Sequence, residues 1–134
     1  MLVLIVEDDP LIGMDLRDEL LAAGYHVAGP ACDEGEALSL AREQTPEVAV
    51  VDIDLGGGHE GLDLARTLRA RGVATVFVSG ERAAALANAD AAFGYLPKPY
   101  SHHDIIAAIE VVAELGRGAA QPSRDAPRSF ERFA

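Results

Sequence analysis

An alternation of two signals most constrains what this chain can fold into. Short β-branched apolar runs recur at Leu2–Val6, Tyr25–Ala28, Val48–Val51, Val73–Val78 and Ala92–Leu96. Between them, apolar residues fall at helical spacing, such as Leu11, Met14, Leu20 and Leu21, then Leu62, Leu64, Ala65 and Leu68. The first, third and fourth runs are nearly continuous, as expected of strands covered by helices on both faces of a parallel sheet. Five strands alternating with five helices predict an α/β fold: a doubly wound, five-stranded parallel sheet in the order 2-1-3-4-5.

The punctuation agrees. Asp9-Pro10 reads as an N-cap followed by proline at the first helical position, where a missing N–H costs nothing. Asp33-x-x-Glu36 resembles a capping box, and Thr45-Pro46 ends the second helix. Gly24 and Gly72 close the first and third helices. The alanine-rich fourth helix is expected over Arg82–Ala91, with little bulk to pack. The fifth is expected over Asp104–Leu115, with Ile105, Ile109 and Val112 facing inward and Ile106 beside them. These elements form one domain over residues 1–116. After Gly116 the text turns to Pro, Ser, Ala and four arginines, with Phe130 and Phe133 but no helical or strand period. Residues 117–134 are expected as a flexible tail, with a short segment docked on the domain or a partner as the alternative. No output domain is expected there.

Composition narrows the function classes. The 134 residues carry 22 Asp+Glu against 11 Lys+Arg, a formal charge of −11. With Arg117, Arg124, Arg128 and Arg132 set against Asp125 and Glu131, the tail holds +2 and the domain −13. A surface this acidic repels phosphate backbones, so direct binding of nucleic acid is not expected. Cys32, the single cysteine, excludes an internal disulfide and any multi-cysteine metal site, and is expected as a buried or half-buried thiol. The longest apolar run, Met1–Val6, is too short to cross a bilayer and lacks the features of a signal peptide. The expected location is the cytoplasm, with no membrane partner.

In an open parallel sheet, ligands bind beyond the carboxyl ends of the strands, where strand order reverses. Strand one ends Val6-Glu7-Asp8 and strand three ends Val51-Asp52, so three carboxylates converge on that point. They repel unless something neutralises them, and an oxygen-only donor set suits Mg²⁺. Strand four ends in Ser79-Gly80, bringing a hydroxyl to the same rim. Strand five leads through Pro97 to Lys98-Pro99, bringing an ammonium, and the Lys98-Pro99 bond is a candidate cis peptide.

These residues resemble the receiver domain of two-component response regulators. The likeness is carried by Leu4-Ile5-Val6-Glu7-Asp8-Asp9-Pro10, Val50-Val51-Asp52-Ile53-Asp54-Leu55, Val78-Ser79-Gly80 and Lys98-Pro99. It implies a flavodoxin-like receiver fold over residues 1–116. Asp52 would be the phospho-acceptor and Asp8 a direct Mg²⁺ ligand, with Glu7 acting through water and Asp54 through its backbone carbonyl. Ser79 would be the switch hydroxyl, Tyr95 the switch aromatic and Lys98 the phosphate-contacting lysine. A histidine kinase or phosphotransfer protein would supply the phosphoryl group, and helix four, strand five and helix five would form the switching face, also the place for a homodimer. No enzymatic turnover is implied.

Some features depart from the family pattern. Gly56-Gly57-Gly58-His59-Glu60 is about one residue longer than usual and reads as a flexible loop, since no Lys-Ser/Thr follows to make a phosphate-binding loop. Pro97 stiffens the approach to Lys98, and Gly80 frees the loop after Ser79. Asp54 places a charge near the phosphoryl exit path. His102 and His103 read as solvated first-turn residues rather than relay histidines, and His26 has no evident partner. Two other functions share the pattern: a phosphorylation-independent interaction module on the same fold, and a Mg²⁺-dependent phosphohydrolase. The complete site set counts against the first, and the lack of room for a cap counts against the second.

Overall fold

Strand β1 (Leu2–Val6) shows why the sheet is buried on both sides. Successive side chains point to opposite faces, so Val3 and Ile5 enter one hydrophobic cluster while Leu4 and Val6 enter another. In the computed structural model, which describes residues 1–54 and 60–133, the chain continues as follows. Helix α1 spans Pro10–Ala22, β2 His26–Ala31, α2 Glu34–Gln44, β3 Val48–Asp52, α3 Glu60–Ala70 and β4 Ala74–Ser79. Next come α4 (Arg82–Ala87), a 3-10 turn (Ala89–Ala91), β5 (Gly94–Pro97), α5 (His102–Gly116) and β6 (Glu131–Arg132). The first five strands are parallel in the order β2-β1-β3-β4-β5, as the sequence predicts. Leu64, Leu68 and Phe77 fill one side of the sheet; Leu16, Leu20, Ile105, Ile109 and Val112 fill the other.

Most helix ends follow their sequence signals. The Asp9 carboxylate accepts from the Leu11 and Ile12 N–H groups at 3.0 and 3.4 Å. Asp33 accepts from the Glu36 N–H at 2.8 Å, but the capping box is only half made. Glu36 instead accepts from the N–H and thiol of Cys32, at 3.4 and 3.2 Å. Cys32 is therefore exposed, not buried, because β2 ends at Ala31 just before it. Helix α5 starts at His102, two residues early, because the Ser101 hydroxyl caps it by accepting from the Asp104 N–H at 3.1 Å. Helix α4 stops at Ala87, where the Asn88 side chain donates to the Ala84 carbonyl at 3.0 Å and diverts the backbone into the 3-10 turn.

The structure corrects further expectations. Leu11, Met14 and Leu21 face solvent, and Gly13, Leu16 and Leu20 form the buried face of α1. A Cβ on Gly13 would stand only 2.8 Å from Pro30, so the missing side chain lets α1 sit close to β2. Strand β2 starts at His26 and runs to Ala31 through a cis Gly29–Pro30 bond, which an edge strand tolerates. His26 is exposed, as is His103, while His102 lies 2.9 Å from Asp15. The glycine segment Gly56–His59 lies outside the described residues.

The largest correction concerns the C-terminal segment and the strand count. Among the described residues the sheet has six strands, because β6 pairs antiparallel with β5 (Gly94 opposite Arg132, Tyr95 opposite Glu131). A sheet edge offers unpaired N–H and C=O groups, and the tail takes them. It returns along α5, where Ser123 donates to Glu114 through its N–H and hydroxyl at 2.7 and 2.5 Å. Arg124 then meets Glu110 at 2.6 Å, and Phe130 and Phe133 are buried. The expected flexible tail is thus a docked one: its cations and hydroxyls match the carboxylates of α5, and its two rings find apolar cover.

Glu110 also accepts from the Tyr25 hydroxyl at 2.5 Å, which joins the residue before β2 to α5 and the tail. Burial and the Glu110 carboxylate push the Tyr25 phenol up to about 12, from an ordinary value near 10. A folded-state value above the unfolded one means stability fully present below pH 10 and lost as pH rises to about 12. Burial likewise pushes the Tyr100 phenol up to about 12, so spectrophotometric titration is expected to find two of the chain's three tyrosines ionising near 12, and Glu110→Gln to lower the midpoint of one of them.

Candidate acidic site at the sheet's carboxyl edge

Three strand ends and one loop meet at the carboxyl edge. Strand β1 leads into Glu7 and Asp8, β3 ends on Asp52, β4 ends on Ser79, and the segment after β5 supplies Lys98. Carboxylate oxygens of Glu7, Asp8 and Asp52 all lie within 4.8 Å of one another. Glu7 and Asp52 are only 5% and 3% exposed, whereas Asp8 is open to solvent. The Lys98 ammonium stands 2.9 Å from Asp52 and 3.4 Å from Glu7. The Lys98–Pro99 bond is cis. Backbone donors complete the pocket: the Asp54 N–H donates to Asp52 at 2.9 Å, and the Asp9 N–H donates to Glu7 at 3.2 Å.

The electrostatics follow from burial. Glu7 loses hydration and faces Asp52, which together push its carboxyl up to about 7 against the opposing pull of the Asp9 N–H and Lys98. For Lys98, burial works against the charge, but the Asp52 and Glu7 carboxylates outweigh it and raise the ammonium above its ordinary value. Among the described residues, Lys98 is the cation paired with Glu7 and Asp52. The donor atoms are all oxygens, and the cluster is open to solvent on the Asp8 side, so the residues fit a hard dication such as Mg²⁺.

Ser79, Asp54 and Tyr95 form a second group beside the first. Ser79 is fully buried, and its hydroxyl donates to both Asp54 carboxylate oxygens at 3.2 Å while accepting from the Glu81 N–H at 2.8 Å. The Tyr95 ring is buried, with its hydroxyl donating to the Ser79 carbonyl at 3.0 Å. That same carbonyl accepts from the Lys98 N–H at 2.9 Å. The structure therefore brings Glu7, Asp8, Asp52 and Lys98 together and places Ser79 against Asp54. Sequence reasoning missed this Ser79–Asp54 contact. Its only signal is the spacing that returns a second acid to the rim two residues after Asp52.

A groove of about 630 Å³ opens next to Lys98, lined by Leu11, Ile12, Leu16, Pro99 and Tyr100, with Asp15 and His102 as polar members. Leu11 is 82% exposed, so this apolar surface faces outward directly beside the acidic pocket.

A doubly wound sheet with a carboxylate pocket and a lysine at its carboxyl edge is the architecture of signal-receiver domains. The comparisons with known proteins agree. The pattern of the response regulator receiver domain matches residues 3–110, and the chain belongs to that family. The transcriptional regulatory protein PdtaR of Mycobacterium tuberculosis is 35% identical over 119 residues, which cover 86% of this chain and 58% of PdtaR. The chain thus spans little more than half the length of that relative. The phyllosphere-induced regulator PhyR of Methylorubrum extorquens is 40% identical over 67 residues, 49% of this chain and 25% of PhyR. Among solved structures, the signal receiver domain of a modulated diguanylate cyclase from Desulfovibrio desulfuricans G20 superposes with a TM-score of 0.78 at 31% identity. That match covers 87% of this chain and 95% of the other.

Removing the cation exposes what it balances. Lys98→Met keeps the stem and leaves two buried carboxylates without their partner. Urea unfolding at neutral pH is expected to show a loss of about 2–3 kcal/mol. The loss should shrink as the pH falls below about 7, where Glu7 takes up a proton.

Proposed function

We propose that this receiver is switched by phosphorylation of Asp52. The observation that carries the reading is the nearly buried Asp52 carboxylate, 2.9 Å from the Lys98 ammonium and within 4.8 Å of Glu7 and Asp8 oxygens. An Asp52 oxygen attacks the phosphorus of a phosphohistidine; the new O–P bond forms as the P–N bond breaks, and the electron pair leaves with the histidine nitrogen. Lys98 neutralises charge on the transferring oxygens. The Asp54 N–H holds the Asp52 carboxylate in place. Asp8 and Asp52 would ligate Mg²⁺ directly, with Glu7 through water and the Asp54 carbonyl as a further ligand. The ion would supply charge neutralisation at the phosphoryl oxygens.

Receiver domains interact with kinases or phosphotransfer proteins. The groove beside Lys98 suits such a donor, since it sets exposed apolar surface of α1 next to the lysine that contacts Asp52. Phosphorylation adds acceptor oxygens next to Ser79. Its hydroxyl then leaves Asp54, and Tyr95, bonded to the Ser79 carbonyl, responds within the face formed by α4, β5 and α5. The output is a protein contact or a phosphate sink, with a histidine kinase or phosphotransfer protein as the cytoplasmic donor.

Incubation with acetyl phosphate and Mg²⁺ is expected to add one phosphoryl group by intact mass, and to add none to Asp52→Ala or in the presence of EDTA. An unmodified wild-type chain that also forms no beryllofluoride complex would favour an interaction module independent of phosphorylation. Asp54→Asn is expected to lengthen the phosphoryl half-life by roughly threefold or more, the scale of one hydrogen bond, because a neutral amide oxygen competes less well than a carboxylate for the Ser79 hydroxyl. An unchanged half-life would reject that role for Asp54.

A further inference from the structure

The tail's last residues dock as a recognition peptide does. Residues three apart on an extended segment point to opposite faces. Phe130 accordingly enters the cluster on the α1–α5 side of the sheet, and Phe133 enters the cluster on the α2–α3 side. Between them, Glu131 is gripped by Arg82 of α4, with Nη2 at 2.6 Å and Nε at 3.0 Å. Backbone pairing with β5 supplies the rest, ending in the Phe133 N–H donating to the Phe93 carbonyl at 2.9 Å. The receiving surface is shaped for this segment. A Cβ on Gly94 would overlap the Phe130 ring and stand 2.9 Å from the Glu131 carbonyl. Phe133 lines a cleft of about 390 Å³ together with Arg69, Asp90 and Phe93.

We propose that the β5 edge is a docking groove for an extended partner segment with an aromatic residue, then an acidic one, then a second aromatic three positions after the first. In this chain Phe130, Glu131 and Phe133 fill the groove in cis. A partner segment of the same chemistry adds to the edge as a strand and competes with the tail. The proposal does not depend on phosphorylation of Asp52. The tail's tether gives it a high effective concentration, so a free peptide binds weakly until the tail is unseated.

The test is fluorescence anisotropy with a labelled peptide of residues 127–134 and the full chain. Phe130→Ser with Phe133→Ser is expected to raise peptide affinity at least about tenfold over wild type. Adding Gly94→Ala to that variant is expected to abolish binding, and a scrambled peptide is expected not to bind. Phe130→Ala with Phe133→Ala, which removes both rings without adding a polar group, gives a second unseated chain should the serine variant fail to fold. An unseated chain that is folded by circular dichroism and binds no peptide overturns the proposal, as does one whose binding survives Gly94→Ala. A wild-type chain that forms a dimer abolished by the tail substitutions also overturns it, since a second copy's tail would then be the occupant.

Discussion

One ammonium group holds the carboxyl edge of this sheet together. Glu7 and Asp52 are almost fully buried and close enough to repel. An unpaired buried charge is strongly destabilising. Lys98 reaches both carboxylates because β5 is aligned to deliver it: Ser79 lies opposite Pro97, and the Lys98 N–H bonds to the Ser79 carbonyl. The register of β4 against β5 therefore sets the electrostatics of a pocket whose acids come from β1 and β3. Lys98 is the cation that the described residues bring to Glu7 and Asp52, and Glu7, stripped of water by burial and facing Asp52, is pushed up all the same. The pocket's all-oxygen donor set suits a dication, and under the proposed phosphorylation that ion would help receive the phosphoryl group.

The Ser79 carbonyl links this pocket to the second group. It accepts from the Lys98 backbone on one side and from the buried Tyr95 hydroxyl on the other. Meanwhile the Ser79 hydroxyl has one proton, at present shared between the two oxygens of Asp54. It cannot donate that proton to Asp54 and to a new acceptor on Asp52 at the same time. Such an exclusive choice is what a two-state element needs, and under the proposed phosphorylation it turns a local charge change into a rearrangement around Tyr95. On that proposal Asp54 is more than a neighbour of Asp52: it is the acceptor with which a phosphoryl oxygen would compete for the Ser79 hydroxyl.

Much of this was legible in the sequence because the physical signals were strong and local. Strand β3 reads as four apolar residues followed by Asp52, and a carboxylate at the end of a buried run has no structural task that a hydrophobe would not serve better. The convergence of Glu7, Asp8, Asp52 and Lys98 followed from strand order alone. Other features depend on contacts that leave no period. Leu11 and Met14 fit a helical stripe, yet the true buried face of α1 is set by Gly13, whose small size appears in no hydrophobic pattern. Cys32 is exposed because a strand ends one residue before it. The Ser79–Asp54 bond depends on how the chain turns after β3, which spacing does not fix. Strand β6 has only two residues, and its flanking phenylalanines look patternless because they straddle a sheet edge instead of lining one face.

That straddling also explains how a short segment with so little secondary structure stays docked. The ion pairs along its path, Arg124–Glu110 and Arg82–Glu131, lie at or near the surface, where water and salt weaken them. They orient the segment more than they hold it. The holding comes from two rings, one on each face of the sheet, so the edge of β5 is clamped and sliding along it would lift both rings at once. Tyr95 lies inside this clamp, paired through its backbone with Glu131 while its hydroxyl reaches the Ser79 carbonyl. A change that displaces Tyr95 therefore acts on the strand to which the tail is paired. Equally, whatever occupies the β5 edge is paired with the backbone of Tyr95, the residue whose hydroxyl reaches the Ser79 carbonyl.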